Sequence, residues 1–391
     1  MSTEDPHLSS ASSEVFRKKI TIIDSHHHFL DPQNNPFQAF LKSLNAPTYL
    51  PFQYEADVID PIFKKHGIQV EGTVHMEALP DDGIKEVQWI EHLIHNKKEC
   101  SYVKAIVASC NLSSPTAEAE LECLTNGSIH SNLDNYENKV KGIRWVLDCV
   151  GPFDAGKTAT HVATTRFDLD GMDYLRCYSK ESGISCKYVY NGTCSPEFEK
   201  GFSLLEKYNL TFDLQCVPEQ LMQAYELCKR YPKTKVCINH LGKPQTVIDQ
   251  DNPVCEKKKS NDTEQQIRLN ESEIQTWKQG LIAMSKLSNV YIKISMLGYV
   301  VPGWISSPEK ESVLKALVKE TIDMFRPKRC MIATNWYVNG ALSDADGLSE
   351  IGPTSDQLIG CFLSWFEEFG LSEDQIARLF AGTAKEFYRI Y

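Results

Sequence analysis

Basic patches are scarce in this chain. Its formal net charge is −11 over 391 residues, and the only lysine run, Lys257-Lys258-Lys259, is flanked by Glu256 and Asp262 and reads as a solvated loop. Nucleic acid or an acidic membrane surface needs a clustered positive face, so neither is expected as a partner. No run of eighteen apolar residues occurs, which excludes a hydrophobic helical span. Residues 1–13 are polar and acidic with no apolar centre, unlike a secretory leader. Cysteine is not scarce, at thirteen, but the number is odd and no Cys-x-x-Cys occurs. Free thiols in a reducing cytosol are the expectation.

What is present is an ordinary globular composition, 42% hydrophobic and 24% charged, organised around Ile23-Asp24-Ser25-His26-His27-His28-Phe29. The preceding run Ile20-Thr21-Ile22-Ile23 is β-branched and reads as a buried strand. A period of two puts Asp24, His26 and His28 on one face. Two imidazoles so spaced form a pincer for a divalent cation, and imidazole suits zinc, iron or nickel. A polar strand end whose histidines only hydrogen-bond is the plainer alternative.

Further along, strand-like and helix-like runs alternate. Helices are expected over 54–66, 84–96, 115–124, 197–208, 218–231, 274–287, 309–325, 354–369 and 372–388, with Gly67 as a stop and Pro218 in a first turn. Strands are expected over 72–78, 103–108, 140–147, 210–216, 235–240, 290–295 and 330–335. With the first, that makes eight. His75 and Glu77 would share a face by the same period of two. Two stretches break the rhythm: 148–193, irregular and rich in Gly, Thr and Asp, and 245–271, polar and highly charged, read as a surface insertion.

Eight strands alternating with helices is the count for a (β/α)8 TIM barrel with enlarged loops. A doubly wound sheet would be expected to show a glycine-rich turn after its first strand, where this chain has histidines. The expected organisation is a flexible segment at 1–18 and a single barrel domain over 19–391, with insertions near 148–193 and 245–271. Polar residues gather at the strand ends: His26, His28, His75, Glu77, Arg144, Asp213, Gln215, His240, Lys293 and Asn335. In a barrel these ends converge on the active face.

Asp-Ser-His-His-His-Phe at 24–29, Val-His-Met-Glu-Ala at 74–78, Gly-Ile-Arg-Trp-Val-Leu at 142–147, Phe-Asp-Leu-Gln at 212–215 and Asn-His-Leu-Gly-Lys-Pro at 239–244 occur in that order. Lys-Ile-Ser at 293–295, Thr-Asn-Trp at 334–336 and Ala-Gly-Thr-Ala-Lys-Glu-Phe-Tyr at 381–388 complete the set. Together they resemble the amidohydrolase superfamily, in the amidohydrolase-related branch that holds fuconolactonase-like sugar lactonases and pyrone dicarboxylate lactonases. The resemblance implies a hydrolase that opens the lactone of a sugar acid or a related carboxylated small molecule. His26, His28 and His240 match positions that bind metal or substrate, with zinc the first choice of ion and a metal-independent site the alternative. Substrate contacts are expected from His75, Arg144, Gln215 and Lys293.

Asn335 stands where most of the superfamily has an aspartate that ligates metal and acts as base. An amide accepts no proton at neutral pH and is a poor anionic ligand. Three readings follow. Glu77 or Asp213 serves as base, the chain binds without catalysing, or a ligand comes from Asp344 or Asp346. A metal-dependent decarboxylase on the same barrel is a rival reading. The expected partner is a small-molecule substrate, with a homo-oligomer as a further expectation.

Overall fold

The computed structural model describes residues 20–43, 45–95, 100–126, 138–147, 196–244, 247–249, 254–259, 262–336 and 352–391. The segment expected to be flexible at 1–18 and the irregular stretch at 148–193 lie outside these residues, as do Asp344 and Asp346.

Among the described residues ten strands occur in chain order: β1 (Thr21–His27), β2 (Gln69–Met76), β3 (Val103–Ser109), β4 (Val140–Val146), β5 (Thr211–Gln215), β6 (Val236–Ile238), β7 (Val254–Lys259), β8 (Asp262–Ile267), β9 (Val290–Ile294) and β10 (Cys330–Ile332). Eight of them form one parallel sheet in the order β1-β2-β3-β4-β5-β6-β9-β10, with helices between successive strands. This is the expected (β/α)8 barrel.

Its closing seam, between β1 and β10, is made largely by side chains and by the residues just past the strands. Ser25 Oγ donates to the Ile332 carbonyl at 2.7 Å. Asp24 accepts from the Thr334 N–H at 2.9 Å and from the Thr334 and Tyr54 hydroxyls. Backbone bonds from Asn335 to His26 and from His28 to Trp336 finish the closure. The pairing of β1 with β2 slips in register between Asp24 and His27. Asp24 therefore faces the seam, away from the histidines with which a strict period of two would group it.

Two apolar cores result. Ile20, Ile22, Ile106, Ile143, Phe212, Ile238 and Ile292 point outward into the layer shared with the helices. Ile23, Val74, Met76, Val107, Cys237, Tyr291 and Met331 fill the lumen. The last helix, Thr383–Tyr388, adds Phe387 and Tyr388 to this inner cluster. Its Arg389 donates to the carbonyls of Lys141 and Asn209, which lie where β4 and β5 begin. That end of the barrel is thus plugged, and chemistry is left to the other end.

The helix expected at 54–66 runs from Pro51 and contains a π turn, Glu55–Ile59, ending where Gly67 takes a φ of 66°. Pro61 has no N–H to offer the carbonyl of Asp57. Ser355 Oγ donates to that carbonyl instead, at 2.6 Å. The stretch expected to be a polar surface insertion at 245–271 contains an antiparallel hairpin. In it β7 pairs with β8, and Lys257 and Lys259 stand opposite Glu264 and Asp262 in register.

Candidate active site

β1 carries His26, His27 and His28 at its C-terminal end. The ring nitrogens His26 Nε2 and His28 Nε2 lie 3.1 Å apart, and the His26 and His240 ring centroids are 4.8 Å apart. The three expected histidines do converge. His27 alternates to the other side, where its Nε2 meets Thr73 Oγ1 at 2.9 Å and its ring packs on Phe29 and Tyr54.

Each site imidazole is fixed from behind. His28 Nδ1 lies 2.9 Å from the Met76 carbonyl, and His240 Nδ1 lies 2.9 Å from Ser295 Oγ. His26 differs, because its Nδ1 is buried without a hydrogen-bond partner. Burial holds His26, His28 and His240 well below the ordinary imidazole range. The positive charges of Lys293 and Arg144 push His26 and His240 the same way, and Arg144 does so for His28. The cluster is therefore neutral.

Arg144, on β4, reaches across the lumen and is 4% exposed. Its Nε donates to Glu77 Oε1 at 2.7 Å, its Nη2 to the Glu77 carbonyl at 2.5 Å, and its Nη1 to Gln215 Oε1 at 3.2 Å. The same Nη1 is 3.4 Å from His26 Nε2. Glu77 Oε2 accepts from the Leu79 N–H. Glu77 and Gln215 thus hold the guanidinium so that one edge faces the imidazoles. Lys293 donates to Asp213 Oδ1 at 2.6 Å, with both side chains fully buried. The Tyr388 hydroxyl donates to both Asp213 oxygens. This second ion pair joins the site to the plug formed by the last helix.

Asn335 also arrives at the histidines. Its φ of 54° is a left-handed conformation that asparagine tolerates, and its backbone N–H donates to the His26 carbonyl at 2.9 Å. Its Oδ1 is buried without a partner. His75 does not join the group. Its ring stacks on Phe29 at 5.7 Å and meets His27 edge-on at 5.7 Å, and neither nitrogen has a hydrogen-bond partner. β2 ends at Met76, so alternation no longer ties Glu77 to the face of His75, and Glu77 reaches Arg144 alone. Ser295 and the Met76 carbonyl were not anticipated. Ser295 lies just past the end of β9 at Ile294, where the period of two gives no facing, and a backbone carbonyl leaves no mark in sequence.

Past the ends of β2, β3 and β4 a cavity of about 530 Å³ opens, lined in part by Phe40, Leu79, Asp81, Asn111, Glu120 and Trp145 and by none of the residues gathered around His26. That volume suits a small organic ligand.

The fit of these residues to a divalent ion can be tested directly. Two imidazole nitrogens 3.1 Å apart suit an edge of a tetrahedral zinc site, where Zn–N is about 2.0–2.1 Å. The remainder does not suit it. Metal-bound histidines donate their second N–H to an acceptor, and His26 Nδ1 meets none. A guanidinium nitrogen approaches the very atom that would face the cation. The carboxylates of Glu77 and Asp213 are already engaged by Arg144 and Lys293. Among the described residues no group of three or more His, Cys, Asp or Glu side chains is arranged to hold an ion. The donor set does not fit a divalent metal.

No described helix is long and apolar enough to cross a membrane. Eight cysteines among the described residues are free thiols.

The whole arrangement has relatives. An L-fucono-1,5-lactonase of Burkholderia ambifaria is 21% identical over 373 residues, which is 94% of this chain and 95% of that protein. The uncharacterized protein y4mH of Sinorhizobium fredii is 26% identical over 198 residues, half of this chain and 52% of that protein, so the match spans about half its length. Among solved structures, an amidohydrolase of Burkholderia multivorans with bound HEPES superposes with a TM-score of 0.61 at 16% identity, covering 95% of this chain and all of that one. The zinc-bound form of that amidohydrolase superposes at 0.60. At such identity these two superpositions show the fold, a (β/α)8 barrel shared along its length. The Amidohydrolase family model matches residues 190–390, just over half of the sequence, and the chain therefore belongs to the amidohydrolase family.

Proposed function

We propose that this protein is a hydrolase that opens the lactone ring of a sugar acid without help from a metal. The observation that carries this reading is the convergence of Arg144 Nη1 and His26 Nε2, 3.4 Å apart, at the mouth of a barrel whose other end is plugged. His28 Nδ1 faces a carbonyl, which can only accept, so the proton sits on Nδ1 and Nε2 offers a lone pair. His26 Nε2 then carries the proton between the two rings. Two N–H donors, one of them cationic, thus stand side by side, the imidazole one shared with His28 until a stronger acceptor enters. A carbonyl oxygen placed there would be stabilised as negative charge develops on it, an effect worth about a hundredfold to a thousandfold in rate per donor.

A lactone suits this arrangement better than an amide, because its alkoxide is the better leaving group. The lactonase relative from B. ambifaria supports the same substrate class. Arg144 and Lys293, expected to hold a substrate carboxylate or lactone oxygen, are paired with Glu77 and Asp213, which leaves the lactone oxygen as the group for Arg144. The reading is therefore of a ring that carries hydroxyls and no free carboxylate that must pair with either cation. A metal-dependent decarboxylase would require an anionic ligand at the imidazoles, which the donor set described above does not provide.

The test is a panel of sugar 1,5-lactones, D-glucono-1,5-lactone among them, followed by proton release with a pH indicator. Turnover well above spontaneous hydrolysis, abolished by Arg144→Met, is expected. Tight binding of these lactones without turnover would favour the non-catalytic reading instead.

A further inference from the structure

We propose that His28, assisted by Asn335, activates the attacking water in place of the carboxylate that this position of the barrel lacks. The inference rests on the lactonase reading and names its base.

Two carboxylates compete for the role, and both are committed elsewhere. Glu77 accepts from Arg144 Nε and the Leu79 N–H. Asp213 accepts from Lys293 on Oδ1 and from the Tyr388 hydroxyl on both oxygens. His28 is placed differently. The Met76 carbonyl fixes its proton on Nδ1, and its Nε2 lone pair faces the site. With no ligand bound, that lone pair is capped by the N–H of His26 at 3.1 Å.

A substrate carbonyl entering beside Arg144 competes for the His26 N–H, and once it takes that bond the His28 lone pair is released. Asn335 supplies the second element. Its backbone N–H donates to the His26 carbonyl, which seats it beside the histidines, and its Oδ1 is a buried acceptor with no partner in the protein. A buried polar atom of this kind calls for a water. A water that donates one hydrogen to Asn335 Oδ1 and the other to His28 Nε2 has its oxygen lone pairs free for attack. The substrate thus uncaps the base as it binds.

The step balances. One O–H bond of water breaks and its proton moves to His28 Nε2, while a C–O bond forms at the lactone carbonyl carbon. Collapse of the tetrahedral intermediate breaks the ring C–O bond, and the proton on His28 Nε2 passes to the departing alkoxide oxygen. One water is added, His28 returns to neutral, and the carboxylic acid product releases its proton to solvent.

The first test needs no turnover. In ligand-free protein labelled with ¹⁵N at histidine, the His28 resonances should report the Nδ1–H tautomer, and an Nε2–H tautomer would overturn the proposal. With D-glucono-1,5-lactone as substrate, His28→Gly should lose about a hundredfold to ten-thousandfold in kcat, the range for a positioned base, and added imidazole should recover part of it. If His28→Gly fails to fold, Asn335→Ala takes its place. It is expected to lower kcat about tenfold, the worth of one hydrogen bond, with KM unchanged. A lactonase whose kcat survives these changes overturns the proposal alone. A wild-type protein that opens no lactone in the panel overturns the functional reading and this proposal with it.

Discussion

His75 and Glu77 stand two apart in the sequence, yet one packs behind the strands and the other lies in the site. The reason is local. β2 stops at Met76, and beyond a strand's last residue the period of two no longer sorts side chains. His26 and His28 meet through their ring nitrogens although β1 ends at His27, because the Met76 carbonyl holds His28 Nδ1 from behind, and the register slip in β1 turns Asp24 to the seam. Residue types at strand ends were thus legible in the sequence, while their facing depended on a bulge and a strand terminus that leave no composition signal. His75 gives a clean test. Both of its nitrogens are buried without partners and its ring already stacks on Phe29, so His75→Phe removes polar atoms that cost about 1–3 kcal/mol when unsatisfied. Equal or higher urea resistance with activity within about twofold is expected. A loss of activity comparable to that of Arg144→Met would mean that His75 contacts substrate after all.

Among the elements, all eight barrel strands were readable, because each is a short β-branched run followed by a helical period and a polar end. The hairpin was not. Its strands, Val254–Lys259 and Asp262–Ile267, are dominated by charged and amide residues and match no strand template, and only the cross-strand register shows how lysines and carboxylates come to stand opposite one another. It connects β6 to the helix Glu271–Ser285 without belonging to the barrel sheet. Replacing residues 254–267 by a short Gly-Ser link should therefore leave the barrel folded. Loop-closure entropy changes by only about 0.6 kcal/mol per doubling of length. Calorimetry should show a single transition shifted by no more than a few degrees, and a collapse in melting temperature would show that the hairpin braces the barrel.

For the molecule as a whole, the consequence of the site is acid lability. His26, His27, His28, His75 and His240 are all buried, and burial lowers the pKa of each, that of His27 to about 3. Below about pH 6.5 the unfolded chain takes up protons that the folded protein refuses. Stability must then fall as pH falls, for His27 across the window from about 6.5 to about 3. Each such group contributes at most about 1.4 kcal/mol per pH unit. Asp24, whose pKa is raised by burial, works in the opposite direction, one group against five. Urea midpoints measured at pH 7, 6 and 5 should decline steeply. His27→Gln, which lies outside the site, should flatten the decline by one proton's share, and a pH-independent midpoint would contradict the burial of neutral imidazoles.

On the proposed reading, a guanidinium and neutral imidazoles do here what a bound metal would otherwise do. The decisive measurement is the rate of sugar-lactone hydrolysis in protein stripped by chelator, with the metal content of that same sample measured. The expected result is an undiminished rate with metal far below stoichiometric. Stoichiometric zinc in the untreated protein, with activity lost on its removal and restored by its return, would contradict it.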